Sequence, residues 1–241
     1  MAMVRTKRSI VISYILLIFF TLIVLLPFFW MFLSSFKSQR ELFQYPPTII
    51  PRTWKFDNYS KAWNSGAVNF GVMFLNTLQI VIPNTIFSIL TSSLAAYAFA
   101  RLKFKGRDFI FMTFLASMMV PGAVLLIPQF LLFTELGWID TYLPLIVPRL
   151  FGGAFSIFLL RQFFMTIPTS LVESATIDGA SDARIYLQIM MPLCKPAITT
   201  VAIFTFMSVW NDYLWPQLIF TSEKQFPLQV FLQIVNNYNP K

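Results

Sequence analysis

Between Arg8 and Lys37 the chain runs for twenty-eight residues, Ser9 to Phe36, without one charged side chain. As a helix rising about 1.5 Å per residue this stretch would reach roughly 42 Å, more than the hydrocarbon core of a bilayer at about 30 Å. A tilted membrane helix accommodates it, because a helix satisfies its own backbone hydrogen bonds where there is no water. A secretory signal peptide shares the basic start, but its apolar region is only about 7 to 15 residues long and ends at a small-residue cleavage site. The run here is longer and ends in aromatics, which predicts a retained span.

Similar stretches recur along the 241 residues. Spans are expected at about 9–36, 72–100, 109–134, 142–160 and 197–220. The fourth is interrupted by Arg149, Pro144, Pro148, Gly152 and Gly153, and the fifth contains Asp212. Composition agrees: 57% of residues are hydrophobic and 12% charged, about half the charge of an ordinary soluble domain. The expected fold is all-α, a polytopic transmembrane helical bundle forming one domain over residues 1–241.

The net charge of +8 does not point to nucleic acid, because the cations lie between apolar stretches instead of forming one basic patch. Counted by alternate loops, ten cations fall on the side of the N-terminus, among them Arg101, Lys103, Lys105 and Arg107. Seven fall opposite, five of them in the one long loop after the first span. The positive-inside rule therefore predicts a cytoplasmic N-terminus.

Several chemistries are excluded. The chain has no histidine, which removes imidazole metal sites and His-dependent nucleophiles. Its one cysteine, Cys194, reads as a small packing residue. There is no GxxxxGK[ST] phosphate cradle, so any ATP and Mg must be held by another chain. No catalytic residue, metal site or cofactor is expected here.

The predicted topology puts about 161–196 in the cytoplasm. Leu171 to Ile177 is helix-compatible, Asp178-Gly179-Ala180-Ser181 reads as a turn offering two N-caps, and Asp182 to Met191 reads as a second short helix. Ile185, Leu187, Ile189, Met190 and Met191 are too apolar for an exposed loop, so either the protein's own spans or a partner must cover them.

Within this segment Glu173-Ser174-Ala175, three residues, Gly179, nine residues, then Ile189-Met190-Met191-Pro192 resembles the EAA loop of ABC importer permeases, EAA-x3-G-x9-I-x-L-P. Ser174 and Met191 are the two departures. Tyr45-Pro46-Pro47, Asn76-Thr77, Ala96-Tyr97-Ala98-Phe99-Ala100-Arg101, Met119-Val120-Pro121 and Trp210-Asn211-Asp212 are similar to segments of the maltose (MalG-like) carbohydrate-uptake branch. The resemblance implies a type I, MetI-like permease in a bacterial or archaeal cell membrane. It implies a second permease as heterodimer partner, two ATP-binding subunits, an extracytoplasmic solute-binding protein and a sugar substrate.

It further implies that the loop forms a coupling helix docked on the ATPase. Glu173 would face a basic group there, Ala175 would permit close approach, and Gly179 would make the bend, with Asp178, Ile189 and Pro192 completing the motif. In the maltose system the sugar site lies chiefly in the partner permease. The family's core has six spans; five are read here, Thr221 to Lys241 reads as a polar segment, and the sixth span is expected to be absent from this sequence.

Charges inside spans cost about 2.5 to 3.5 kcal/mol near the bilayer centre and are seldom left alone. Arg149 and Asp212 fall at matching depths, about 12 Å below the outer surface, and are expected to pair. With Trp210 and Asn211 they are the candidate translocation-pathway residues. Most of the 28 Phe read as lipid-facing, with Trp210, Tyr213 and Trp215 as candidate sugar contacts. Two other readings compete: an ion-coupled secondary transporter with spans broken at Pro83, Pro121 and Pro128, and a membrane enzyme with a metal at Asp178 and Asp182. The first leaves the Glu173–Pro192 segment unexplained, and the second has too few ligands.

Overall fold

The computed structural model describes residues 7–64 and 69–238, and the regular elements among them are all helical. The chain divides into two compact units, Met1–Gly66 and Ala67–Lys241.

The first unit begins with α1 (Lys7–Ser34), which continues through Pro27. None of its most apolar window is buried, which leaves the surface of α1 to lipid or other proteins. Beyond it come α2 (Gln39–Leu42) and α3 (Asp57–Trp63). Phe36 anchors this part, with its ring 5.2–5.4 Å from those of Trp54, Phe56 and Tyr59. The Glu41 carboxylate accepts from the Arg52 backbone N–H (2.8 Å) and Thr48 Oγ1 (2.9 Å), while Lys37 Nζ donates to the Thr48 carbonyl. The proline-rich loop after the first span is therefore ordered, tied by its own polar groups.

The second unit is built on α4 (Phe70–Arg101), a 32-residue helix that also continues through a proline, Pro83. Its buried positions recur at Met73, Thr77, Ile80, Asn84, Ser88, Ser92 and Ala96, one face of a 3.6-residue helix. That face is unusually polar. In lipid this is the expected direction, since side chains needing hydrogen bonds turn toward protein.

The stretch expected as one span over 109–134 is instead two helices, α5 (Arg107–Ser117) and α6 (Gly122–Glu135), bent by 94°. The bend falls at Met118–Pro121, where the proline lacks an N–H and disfavours helix in the residue before it. The expected fourth span is α7 (Leu143–Leu150) followed by α8 (Ala154–Thr166), broken at Gly152, whose φ is +77°. The break explains the Pro and Gly cluster read in the sequence. The helix runs six residues past the expected end at Leu160, because Arg161 is accommodated: its Nε donates to the Phe99 carbonyl (3.3 Å) and its guanidinium lies over the Phe111 ring at 4.1 Å.

Next come α9 (Thr169–Ile177), α10 (Asp182–Ile185), a π-helical turn Tyr186–Met190, and α11 (Met191–Leu193). The chain then bends by 79° into α12 (Lys195–Trp210) and α13 (Leu214–Ile219). The segment after Phe220, read as a polar tail, contains a 3₁₀ turn and the amphipathic helix α14 (Leu228–Tyr238). Its start is fixed to α4: Leu228 N–H donates to Thr77 Oγ1 (2.9 Å), and Asn76 Nδ2 to the Lys224 carbonyl (2.7 Å).

Two hydrophobic clusters form along α4. One gathers Tyr97, Phe164, Ile185, Tyr186, Met190 and Cys194; the other gathers Ile80, Phe133, Leu145, Val209 and Phe220.

Candidate functional site

The motif segment occupies the end of the unit where α4 finishes. Helix α9 carries Glu173 and Ala175 and closes with a Schellman turn: Ala180 N–H donates to the Ala175 carbonyl (2.9 Å) and Gly179 N–H to the Thr176 carbonyl (3.0 Å). Gly179 has φ +80°, a conformation costly for residues with a Cβ, and a Cβ there would meet nothing within 4 Å. The glycine is required by backbone geometry, not by crowding. Of the two N-caps expected, Ser181 serves: its Oγ accepts the Arg184 N–H (3.4 Å), while Asp178 is the C-cap of α9.

The apolar second helix is covered only in part by the protein itself. Ile185 and Met190 are buried and Ile189 and Met191 pack against the same core, whereas Leu187 is 62% exposed and Ile177 on α9 is 86% exposed. Ala175, Asp178 and Ile189 line one hollow of about 280 Å³ with Ala180, Arg184 and Gln188. Glu173 and Pro192 are exposed and lie off it. Arg184 and Gln188, joined at 3.0 Å, were missed by the motif; their i, i+4 spacing on a helix was the available signal.

This segment is anchored to α4 by Tyr186. Its hydroxyl lies 2.7 Å from Ser93 Oγ, and Ser93 Oγ also donates to the Leu90 carbonyl (3.0 Å). A serine has one O–H to give, so the tyrosine donates to the serine. Tyr97 OH adds a longer contact to Asp182 (3.4 Å). Arg101, counted in the sequence as a loop cation, donates through Nη2 to the Phe164 and Ile167 carbonyls, satisfying groups left open where α8 ends.

Inside the unit, Arg149 Nη2 donates to Asp212 Oδ2 at 2.6 Å, with the side chains 32% and 15% exposed. Arg149 lies in the last turn of α7, and Asp212 occupies the gap between α12 and α13, where its Oδ1 also accepts the Trp215 N–H (3.3 Å). The expected pair is present. The other two pathway candidates make contacts of their own: Trp210 stacks on Phe206 at 5.3 Å, and Asn211, exposed, donates to the Met207 carbonyl at 2.8 Å. Trp215 is held edge-on against Phe133. Arg149 instead borders a cavity of about 350 Å³ walled by Ser88, Ser156, Phe155, Phe204 and Ser208. The signal for part of this wall was the hydroxyl of Ser88 inside an uncharged stretch.

A family model described as "Binding-protein-dependent transport system inner membrane component" matches residues 88–239. The chain belongs to that family. The permease is 35% identical over 223 residues to the diacetylchitobiose uptake system permease protein NgcG of Streptomyces coelicolor, covering 92% of this chain and 73% of that one. It is 36% identical over 222 residues to the sn-glycerol-3-phosphate transport system permease protein UgpE of Pectobacterium atrosepticum, covering 90% and 79%. Among solved structures it resembles a bacterial ABC transporter involved in the import of the acidic polysaccharide alginate, with a TM-score of 0.76 and 28% identity over 96% of this chain and 81% of that one.

The permease is thus an all-helical inner-membrane component of an ATP-driven, binding-protein-dependent importer, a transport subunit that works with ATPase and solute-binding partners. Family membership favours this over the ion-coupled reading.

Proposed function

We propose that the permease imports a carbohydrate or related polyol as one half of a heterodimer, paired with a related permease and two ATP-binding subunits. The likeness to NgcG over 92% of the chain supports a sugar, and the likeness to UgpE supports a polyol phosphate as second candidate. The chain itself catalyses nothing; ATP and Mg are held by the partner subunits. Its N-terminus is cytoplasmic, a reading supported by the basic residues 101–107 at the end of α4 where the motif segment also lies.

Coupling runs through Glu173, Ala175, Asp178, Gly179, Ile189 and Pro192, which meet the ATPase. One observation carries this: two short helices meet at a positive-φ glycine, and the second is anchored in α4 by Tyr186. Movement of the ATPase is passed to the helix that borders the intramembrane cavity, so pore and motor share one conformational equilibrium. Arg149 and Asp212, with Trp210 and Asn211 nearby in sequence, belong to the pathway.

The deciding experiment reconstitutes the whole transporter in liposomes with its cognate binding protein and follows uptake of diacetylchitobiose and glycerol 3-phosphate. Uptake that requires ATP and the binding protein supports the reading. Uptake driven by an ion gradient without ATP, or no uptake of either solute, counts against it.

A further inference from the structure

We propose that the cavity of about 350 Å³ between α4, the α7–α8 break and α12 is a solute subsite within this chain, suited to an uncharged, hydroxyl-rich solute of about one or two sugar rings. The proposal rests on the import reading above and specifies the chemistry met along the pathway. It differs from what the maltose-type resemblance implies, a sugar site lying chiefly in the partner permease.

Position is the first argument. Ser88 lies roughly 27 Å along α4 from Phe70 and roughly 20 Å from Arg101, near the middle of the helix. Polar groups at that depth are expensive and need a partner.

The hydroxyls supply the second argument. On α4, Thr85 and Thr91 donate to the carbonyls of Val81 and Phe87 at 2.8 Å, the ordinary resting place of a hydroxyl on a membrane helix. On α12, Thr199 and Thr200 do the same at 2.9 Å. Ser88, Ser156, Thr205 and Ser208, which border the cavity, make no such bond within the described residues. Ser88 is 5% and Ser156 9% exposed, so two buried hydroxyls border the space with their bonding capacity unspent. The wall also carries Phe155 and Phe204, ring centroids 5.9 Å apart. Aromatic faces beside a set of hydroxyls complement a pyranose, whose C–H faces are apolar and whose edges donate and accept.

Charge supplies the third argument. Arg149 is the one charged residue on the wall, and its guanidinium is already bonded to Asp212 at 2.6 Å. A phosphate or carboxylate would have to compete with that carboxylate and be repelled by it. A neutral solute leaves the pair intact.

The test uses the complete transporter with its binding protein in liposomes, diacetylchitobiose as the neutral probe and glycerol 3-phosphate as the anionic one. The wild type imports the neutral probe. A combined S88A, S156A and S208A variant is expected to lower its uptake at least tenfold while the complex still assembles with all its subunits. As a second measurement, S208C in the assembled complex is alkylated more slowly when the neutral probe is present and at an unchanged rate with the anionic one. Import of the sugar undiminished by the triple variant, or protection of S208C by the phosphate alone, overturns this proposal and leaves the import reading standing. Import of neither probe by the wild type overturns both.

Discussion

Arg149 and Asp212 lie 63 residues apart in sequence and meet at 2.6 Å inside the bundle, each at a place where a helix is interrupted. The arginine sits at the carbonyl-rich end of α7, where a cation is favoured, and the aspartate also accepts a backbone N–H at the start of α13. The pair therefore joins two broken helices as well as neutralising two charges.

Removing one partner leaves the other partly buried and uncompensated. Asp212→Ala is expected to destabilise the assembled complex by about 2 kcal/mol, below the usual range for fully buried pairs because Arg149 is 32% exposed. Thermal unfolding of the purified complex checks this. An Arg149→Met, Asp212→Leu double variant should lose less than the single one, since no charge is left unpaired; a double variant that is worse would argue against pairing as the main role.

At the joint, Gly179→Ala adds a Cβ that meets no atom but imposes the left-handed conformation on a residue that resists it, at about 1–2 kcal/mol. Gly179→Asn should be milder. Gly179→Pro cannot hold a positive φ and loses the bond to Thr176, so binding-protein-stimulated ATP hydrolysis and uptake should both collapse while the protein still inserts. Normal transport by the proline variant would remove the coupling role.

Tyr186→Phe and Ser93→Ala each delete the 2.7 Å hydroxyl contact that ties the motif segment to α4. Each should cost about 1 kcal/mol, and the double variant should cost clearly less than the sum of the two. Chemical denaturation of the complex gives the values, and strict additivity would show that the two groups act separately.

Asp140, in the turn before α7, holds a positive φ of 59° and accepts the backbone N–H groups of Thr221 (3.0 Å) and Ser222 (3.2 Å). Those bonds hold its carboxyl below the ordinary carboxylate range. A depressed value stabilises the folded form fully above the usual pKa of about 3.9, and that contribution is lost as pH falls through the folded value. The protection of the Thr221 and Ser222 amides, measured as exchange relative to the intrinsic rate at each pH, should therefore fall only in acid. Asp140→Asn keeps the acceptor and should flatten that dependence.

The relation between sequence and structure follows from the range of each interaction. Membrane length, the turn at Gly179 and the motif spacing were all legible, because each depends on neighbouring residues or on composition. Counting residues from the outer ends of their spans also placed Arg149 and Asp212 at one depth. The 94° bend at Pro121 was harder to read, since Pro27 and Pro83 have the same local chemistry and lie in unbroken helices. Helix α14 was hidden because its polar residues resemble a tail until Thr77 and Asn76 fix its start.

Sequence alone determined that this chain lives in a membrane and carries a segment bent at Gly179, since hydrophobic length and glycine stereochemistry are local properties. Only the tertiary structure decided which polar groups are spent and which remain available. Ser93 and Ser88 look alike in the sequence; one is engaged by Tyr186 from 93 residues away, and the other faces a cavity that exists only once three helices have packed.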